Sequence, residues 1–125
     1  MESLYIQGTS HHPEVKFNFE TGVLELNGRS LPEQVLTLYQ PILQWIEEYT
    51  ASEKEKETTF KINLDYINSS SSKYLLEILK RLNDFFKEGN PIKVEWFYDE
   101  YDEDQEESGE EYKELLDLEF ILIKK

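Results

Sequence analysis

Apolar and polar residues alternate in the N-terminal part of the chain, which is typical of β-strands. The apolar residues of segment 15–19 alternate with polar ones, residues 20–22 offer a turn, and residues 23–26 resume the alternation. This pattern predicts a β-hairpin, preceded by a short strand at Leu4-Tyr5-Ile6.

A helical spacing of apolar residues follows the hairpin. Ser30-Leu31-Pro32-Glu33 carries a helix-start signature, with a capping hydroxyl, an early proline and an early acid. Pro41 lies inside the predicted helix and should kink it, because proline has no N–H for the helical hydrogen bond. Residues 51–58 predict a polar loop. The apolar positions that define the helix are Val35, Leu38, Ile42, Trp45 and Tyr49.

The middle of the chain predicts a strand–helix–strand unit. Residues 60–64 alternate as a strand, residues 75–86 have strong amphipathic helical spacing, and residues 92–96 form another strand. Such a unit implies a right-handed parallel crossover. With a further helix at 106–116 and a last strand at 118–123, we expect an α/β fold: a mixed β-sheet with an N-terminal hairpin, a central βαβ unit and packed helices.

The charge of the chain is strongly negative and unevenly distributed. The 125 residues carry a formal net charge of −14, and residues 99–111 hold nine acids and no base. This charge argues against nucleic acid, because phosphate binding depends on lysine and arginine. The length fits a single domain over residues 1–125, with the acidic segment 99–111 inside it.

Composition also restricts the location of the protein. Cysteine is absent, which excludes disulfides and thiolate metal sites. The apolar runs are far shorter than the roughly 20 residues of a membrane helix, and the first residues lack the features of a signal peptide. We expect a soluble, cytoplasmic protein with no membrane association.

Known catalytic motifs are missing, so we predict no enzyme, no catalytic residue, no metal site and no cofactor. His11 and His12 are adjacent, and on an extended chain they point to opposite sides. The acidic segment is either a solvated face or a docking surface for a basic partner. A cation-dependent enzyme using this segment is a remote alternative, because the chain lacks a nucleophile–base pair and the calcium-loop pattern.

Four consecutive serines, Ser69–Ser72, stand between the strand at 60–66 and the helix that follows. One interpretation is helix capping, for which serine is well suited. The other is phosphorylation, because free N–H groups and the helix dipole at such a terminus favour an anion. The residues alone leave both open.

The segment Leu64–Lys73 resembles the L-x-Y-[FLI]-N-[ST]-S-S-x-K motif of the SiaC family of bacterial regulatory phosphoproteins. Three further stretches resemble family patterns in the same order along nearly the whole chain: Ile6-Gln7-Gly8-Thr9, Gly28-Arg29-Ser30-Leu31-Pro32-Glu33 and Val94-Glu95-Trp96-Phe97-Tyr98. Of these, the Asn-Ser-Ser-Ser-Ser-Lys motif is the specific one.

The resemblance implies a STAS-like fold and a role in partner switching. In that family a hydroxyl after the motif asparagine is phosphorylated by a Ser/Thr protein kinase and dephosphorylated by a PP2C-type phosphatase. The unphosphorylated form binds and activates a diguanylate cyclase, which raises cyclic di-GMP and favours biofilm growth. The alternative within the same fold is a STAS-like anti-sigma-factor antagonist.

Carried over by position, the phosphorylation site is Ser69, the residue directly after Asn68, with Ser70 and Ser71 as alternates. The best-known members of the family carry threonine there, so serine is a departure. The residues expected to bind the partner are Asn68, Ser70, Ser71, Ser72, Lys73, Arg29 and Tyr98.

Three of these residues also have simpler interpretations. Lys73 is either a solvated first-turn residue of the helix or a group that pairs with a phosphate. Arg29 either forms a structural pair with Glu33 or contacts the partner. Tyr98, at the end of a strand, is either part of the core rim or part of an interface.

Overall fold

The computed structural model describes residues 1–52 and 57–125. In chain order these residues form β1 (Leu4–Ile6), β2 (Glu14–Phe17), β3 (Val23–Ser30), α1 (Val35–Ser52), β4 (Thr58–Ile67), α2 (Ser69–Lys87), β5 (Ile92–Tyr98), α3 (Glu103–Leu115) and β6 (Glu119–Lys124). In these described ranges, every helix is too short or too polar to cross a bilayer.

The strands form one mixed sheet in which spatial order follows chain order, from β1 to β6. The first three strands are antiparallel neighbours, and β3 to β6 are parallel neighbours. Each parallel pair is joined through a helix, as parallel strands require. The predicted hairpin, short first strand, central βαβ unit and mixed α/β fold are therefore confirmed.

One face of the sheet is covered and the other is open. Leu26, Ile62 and Trp96 lie side by side in the register and are all buried. The next row on the opposite face is Lys16, Glu25, Lys61 and Glu95, whose charges alternate in sign from strand to strand. Opposite charges facing each other contribute about 0.2–1 kcal/mol per pair. This ladder makes the open face compatible with solvent.

The first helix corrects two details of the sequence interpretation. Ser30 does not cap α1; it ends β3 and is fully buried, and the helix begins only at Val35. Pro41 lies inside this helix, as expected, and the kink expected there stays a prediction. Of the expected loop 51–58, Ala51 and Ser52 belong to α1 and Thr58 begins β4, while residues 53–56 lie outside the described residues.

The acidic segment begins its helix at Glu103, three residues earlier than expected. Asp102 caps this helix, because its Oδ1 accepts a 3.0 Å hydrogen bond from the N–H of Gln105. Glu103, Asp104 and Glu106 then lie in the first turn, where acids interact favourably with the helix dipole. Local electrostatics therefore explain the earlier start.

Candidate functional site

The serine run lies where β4 meets α2, with a single residue, Asn68, between the two elements. Asn68 has extended backbone angles, and its Oδ1 accepts a 2.9 Å hydrogen bond from the N–H of Ser71. This is the geometry of a helix N-cap. The first turn of α2 is thus held at the carboxyl ends of the parallel strands, where α/β proteins commonly place their working residues.

The four serines occupy different environments. Ser69 and Ser70 are exposed, Ser72 is half-buried, and Ser71 is 0% exposed. Ser70 Oγ donates to Asn68 Oδ1 at 3.3 Å, and Ser72 Oγ donates to the Asn68 carbonyl at 3.1 Å. Exposure therefore distinguishes hydroxyls that an enzyme could reach from one that serves the fold.

Ser71 belongs to a buried hydroxyl network. Ser30 Oγ donates to Ser71 Oγ at 2.9 Å and lies 2.7 Å from Tyr39 Oη. The N–H of Asn68 also donates to the Ser30 carbonyl at 2.9 Å. Burial raises the pKa of the Tyr39 phenol. The network ties the serine run to β3 and α1, and therefore fixes its position.

Helix α3 reaches the same site through Tyr112. Tyr112 and Ser72 both border one cleft, and burial raises the pKa of the Tyr112 phenol. On the other side, the rings of Tyr39 and Tyr74 stack with centroids 5.6 Å apart. The sequence interpretation missed Tyr39 and Tyr112 as part of the site, because only the fold brings them beside the serines.

Gln105 fastens the start of α3 to the sheet. Its Nε2 donates to the Leu64 carbonyl of β4, and its Oε1 accepts a 2.7 Å hydrogen bond from the N–H of Asp99. Its own carbonyl accepts a 3.0 Å hydrogen bond from Trp96 Nε1. No sequence motif signals this residue. Its role depends on contacts with Leu64, Trp96 and Asp99, which the fold brings beside it.

A cleft of about 230 Å³ lies between the first turn of α2 and α3. Its lining is mixed: Leu64, Trp96, Tyr66 and Tyr112 contribute apolar and aromatic surface, and Ser72, Asp65, Asp102 and Asp104 contribute polar groups. The cleft therefore offers aromatic surface next to carboxylates, directly beside the serine run, in a form that can accept a partner side chain.

Three predicted partner-binding residues, Arg29, Lys73 and Tyr98, have different environments. The Arg29 guanidinium lies 5.7 Å from the centroid of the exposed Tyr66 ring, and no ion pair joins it to Glu33, so that expected pair is not formed. Lys73 is exposed in the first part of α2. Tyr98 is half-buried, and desolvation, followed by the Glu106 carboxylate, raises its pKa.

The electrostatics of the α2 terminus favour an anion. The first turn of α2 contains no acidic residue, although the chain as a whole is strongly acidic. Unpaired N–H groups and the helix dipole give such a terminus a partial positive charge. Ser69, as the first residue of the helix, would therefore hold an added phosphate in a favourable field.

The residues considered for metal binding do not converge. His11 and His12 are both exposed, and His11 Nδ1 lies 3.0 Å from Ser10 Oγ. Among residues 1–52 and 57–125, no group of three histidine or acidic side chains is arranged to hold a metal ion.

Comparison with known proteins identifies the family. The family model described as "SiaC family regulatory phosphoprotein" matches residues 6–125. The chain belongs to the SiaC family. The family predicted from the Asn-Ser-Ser-Ser-Ser-Lys motif is thereby confirmed.

Individual members of the SiaC family are similar over nearly their whole length. An uncharacterised protein of Pseudomonas aeruginosa strain UCBPP-PA14 is 30% identical over 122 residues, which are 98% of this chain and 96% of that protein. The crystal structure of the diguanylate cyclase SiaD in complex with its activator SiaC, from P. aeruginosa, contains a chain that is 29% identical, with a TM-score of 0.92 and coverage of 98% and 99%. A structure of apo-SiaC from the same organism is 28% identical, with a TM-score of 0.89 and 98% coverage of both chains.

Proposed function

We propose that this protein is a non-enzymatic regulatory phosphoprotein of a partner-switching system, whose unphosphorylated form binds and activates a diguanylate cyclase. The observation that carries the proposal is the structural similarity, over 98% of this chain, to a chain of the SiaD–SiaC complex, in which SiaC is the activator of a diguanylate cyclase. In this chain the family motif lies on an exposed helix start beside a cleft lined by aromatic, apolar and acidic side chains. The activation would raise cyclic di-GMP and favour biofilm growth.

Ser69 is the proposed phosphate acceptor. It is exposed, lies at the first position of α2, and has no acidic neighbour in the first turn of the helix. Ser70 is exposed as well and stays an alternate, although its hydroxyl already donates to Asn68. The full burial of Ser71 and its bond from Ser30 disfavour it as an acceptor.

The proposed partner surface consists of the serine run, Lys73, Arg29, Tyr98 and the neighbouring cleft. Asn68 and Ser71 would contribute through position, because the first caps the helix and the second is buried against Ser30. Ser72 and the exposed ring of Tyr66 line the cleft itself. An aromatic or aliphatic side chain of the cyclase would fit this cleft as an anchor.

Phosphorylation would release the partner without unfolding the protein. A phosphate on Ser69 adds about −1.5 to −2 charges and suits the helix terminus of its own chain. In an interface, however, the same group must lose its water and meet the acidic chain around it, which is unfavourable. A Ser/Thr kinase and a PP2C-type phosphatase would set the balance, in the cytoplasm where ATP is available to the kinase.

The acceptor can be identified by mass spectrometry of the protein purified from its native cells. We expect one phosphate on the peptide containing residues 68–73, removed by a PP2C-type phosphatase, with fragment ions assigning it to Ser69. A chain that carries no phosphate under any growth condition would contradict the phosphoprotein proposal.

The switch can be tested with purified diguanylate cyclases of the source organism. We expect Ser69→Ala to bind the cyclase and raise its cyclic di-GMP production like the wild type, and Ser69→Asp to lose both effects. Thr21→Asp, at an exposed position in the turn between β2 and β3, serves as the control for added charge outside the proposed surface. Binding to an anti-sigma factor, with no effect on any cyclase, would instead favour the STAS-like antagonist.

A further inference from the structure

The outer edge of β6 is a long strand edge with unpaired backbone. β6 lies at one end of the sheet and spans Glu119–Lys124, whereas the opposite edge strand, β1, has only three residues. Natural proteins usually protect an edge strand with proline, bulges, charged side chains or a very short length, because unpaired N–H and C=O groups recruit another strand. β6 contains neither proline nor glycine, its register with β5 is continuous, and its charged residues, Glu119 and Lys124, lie only at its two ends.

The direction of the backbone groups follows from one hydrogen bond. The N–H of Lys125 donates to the Tyr98 carbonyl of β5 at 2.9 Å. Because successive residues of a strand point their N–H and C=O groups to opposite sides, the groups of Phe120, Leu122 and Lys124 point away from the sheet. Among residues 1–52 and 57–125, no backbone hydrogen bond is formed on that side of β6.

We propose that β6 pairs antiparallel with β6 of a second copy of this chain, with Leu122 opposite Leu122 on a two-fold axis. An axis perpendicular to the sheet keeps the helices of both copies on one side. In this arrangement, the side chains of two residues that lie opposite each other must point to the same face of the sheet. The possible registers of the two strands therefore differ by steps of two residues. With Leu122 on the axis, Phe120 lies opposite Lys124, and every outward N–H and C=O group gains a partner.

The side chains favour the same register. On the open face, Glu119 of one copy lies opposite Lys125 of the other, and Ile121 lies opposite Ile123. Lys125 Nζ lies 3.3 Å from Asp65 Oδ1 of its own chain, so Glu119 of the second copy would join an existing ion pair. A shift by two residues places Glu119 opposite Ile123, or Ile121 opposite Lys125. Only the proposed register therefore joins opposite charges at both ends and half-buried isoleucines between them.

The high negative charge of the chain opposes this association and sets the conditions for measuring it. Each copy carries a formal charge of −14, so the dimer should be favoured when salt screens the remaining surface. At 0.15 M salt the Debye length is about 8 Å, which leaves contacts within the pair effective. The experiments below are therefore made at that ionic strength or above.

Disulfide cross-linking tests the register directly, because the chain has no cysteine of its own. Ile121→Cys and Ile123→Cys are each made as single variants, oxidised alone and as an equal mixture. In the proposed register, positions 121 and 123 of different copies form a non-hydrogen-bonded pair with Cα atoms about 4.5 Å apart, within disulfide range. Two copies of position 121 are about 8 Å apart, beyond that range.

We expect covalent dimer on a non-reducing gel from the mixture and not from either variant alone. Both side chains lie on the open face, so the variants should fold, and circular dichroism checks this. Absence of cross-linked dimer in the mixture, or equal cross-linking in the single variants, would overturn the proposed pairing.

Charge reversal provides an independent measurement by analytical ultracentrifugation. Glu119→Lys alone and Lys125→Glu alone should each weaken the dimer about tenfold, because both symmetric pairs become repulsive. The double variant restores both intermolecular pairs and should bind more tightly than either single variant, although Lys125→Glu also removes the ion pair with Asp65 of its own chain. A wild-type chain that sediments as a monomer at all concentrations would refute the proposal, and this outcome is independent of phosphorylation and cyclase binding.

Discussion

The hydroxyl of Ser30 donates a 2.9 Å hydrogen bond to the hydroxyl of Ser71, which lies 41 residues further along the chain. Both side chains are 0% exposed, and Tyr39 Oη lies 2.7 Å from Ser30 Oγ. The end of β3, the helix α1 and the first turn of α2 are thus joined by one hydroxyl. The proposed phosphate acceptor, Ser69, is exposed two residues before this anchor.

Ser30→Ala should destabilise the protein. The change removes one hydroxyl and leaves two buried hydroxyls, those of Tyr39 and Ser71, with a lost partner, at a cost of about 1–3 kcal/mol. Urea unfolding monitored by circular dichroism measures the free energy of unfolding. Ser70→Ala is the matched control, and because that hydroxyl is exposed its effect should stay within about 0.5 kcal/mol. Equal effects of the two changes would contradict the anchoring role of Ser30.

Gly109→Ala should also be destabilising, although alanine is normally the better helix residue by about 1 kcal/mol. A Cβ at Gly109 would lie 2.6 Å from Trp96 Cδ1, so α3 would have to move away from the sheet. We expect a net loss of about 1–3 kcal/mol in the free energy of unfolding, together with a change in tryptophan fluorescence. Ser108→Ala on the same helix is the control and should be neutral or stabilising. A stabilised Gly109→Ala would mean that α3 does not depend on this close approach.

Ser69→Asp should stabilise the fold while it weakens partner binding. A carboxylate in the first turn of α2 interacts favourably with the helix dipole, by about 0.3–1 kcal/mol at low salt. Thermal unfolding at low and high salt measures this term, which should shrink as salt is added. Ser69→Asn is the uncharged control. If Ser69→Asp lowered stability, the release of the partner could not be separated from partial unfolding.

The ionised carboxylate of Asp117 should stabilise the fold, and this contribution should be lost in acid. Its pKa is lowered, first by a hydrogen bond from Lys87, whose Nζ lies 3.2 Å from Asp117 Oδ2, and then by the Asn83 amide. A lowered folded-state pKa means that the stabilisation is present above the unfolded value, about 3.9. It is then lost as the pH falls through the folded-state pKa.

Asp117→Asn should therefore differ from the wild type above about pH 4 and converge with it at lower pH. Urea unfolding between about pH 2 and 6 provides the comparison. Glu107→Gln is the control for removing an exposed carboxylate elsewhere. A difference that stays constant across this range would show that the Asp117 charge does not contribute.

Much of the fold could be predicted from the sequence, because its elements are specified by local periodicity. The alternating residues of β2 and β3 and the amphipathic spacing of α2 identify their structure directly, since each buries one face against the same core. Asn68 and the serines that follow also identify the start of α2, because capping depends on neighbouring residues. The family and its motif were likewise readable from consecutive residues.

Other features could not be predicted, because they depend on contacts between distant segments. Ser30 has the chemistry of a helix cap, yet it ends a strand, since the buried hydroxyls of Tyr39 and Ser71 satisfy it there. Tyr112 lies beside Ser72 only because α3 folds over the carboxyl ends of β4 and β5.

The sequence by itself determined the elements, the family and the segment that carries the proposed acceptor, because periodicity, capping and motifs are properties of neighbouring residues. Tertiary structure decided which serines are exposed, which one is buried, and which strand edge is left unpaired. These properties depend on burial and on hydrogen-bond partners far apart in the chain, and only the packed sheet and helices specify them.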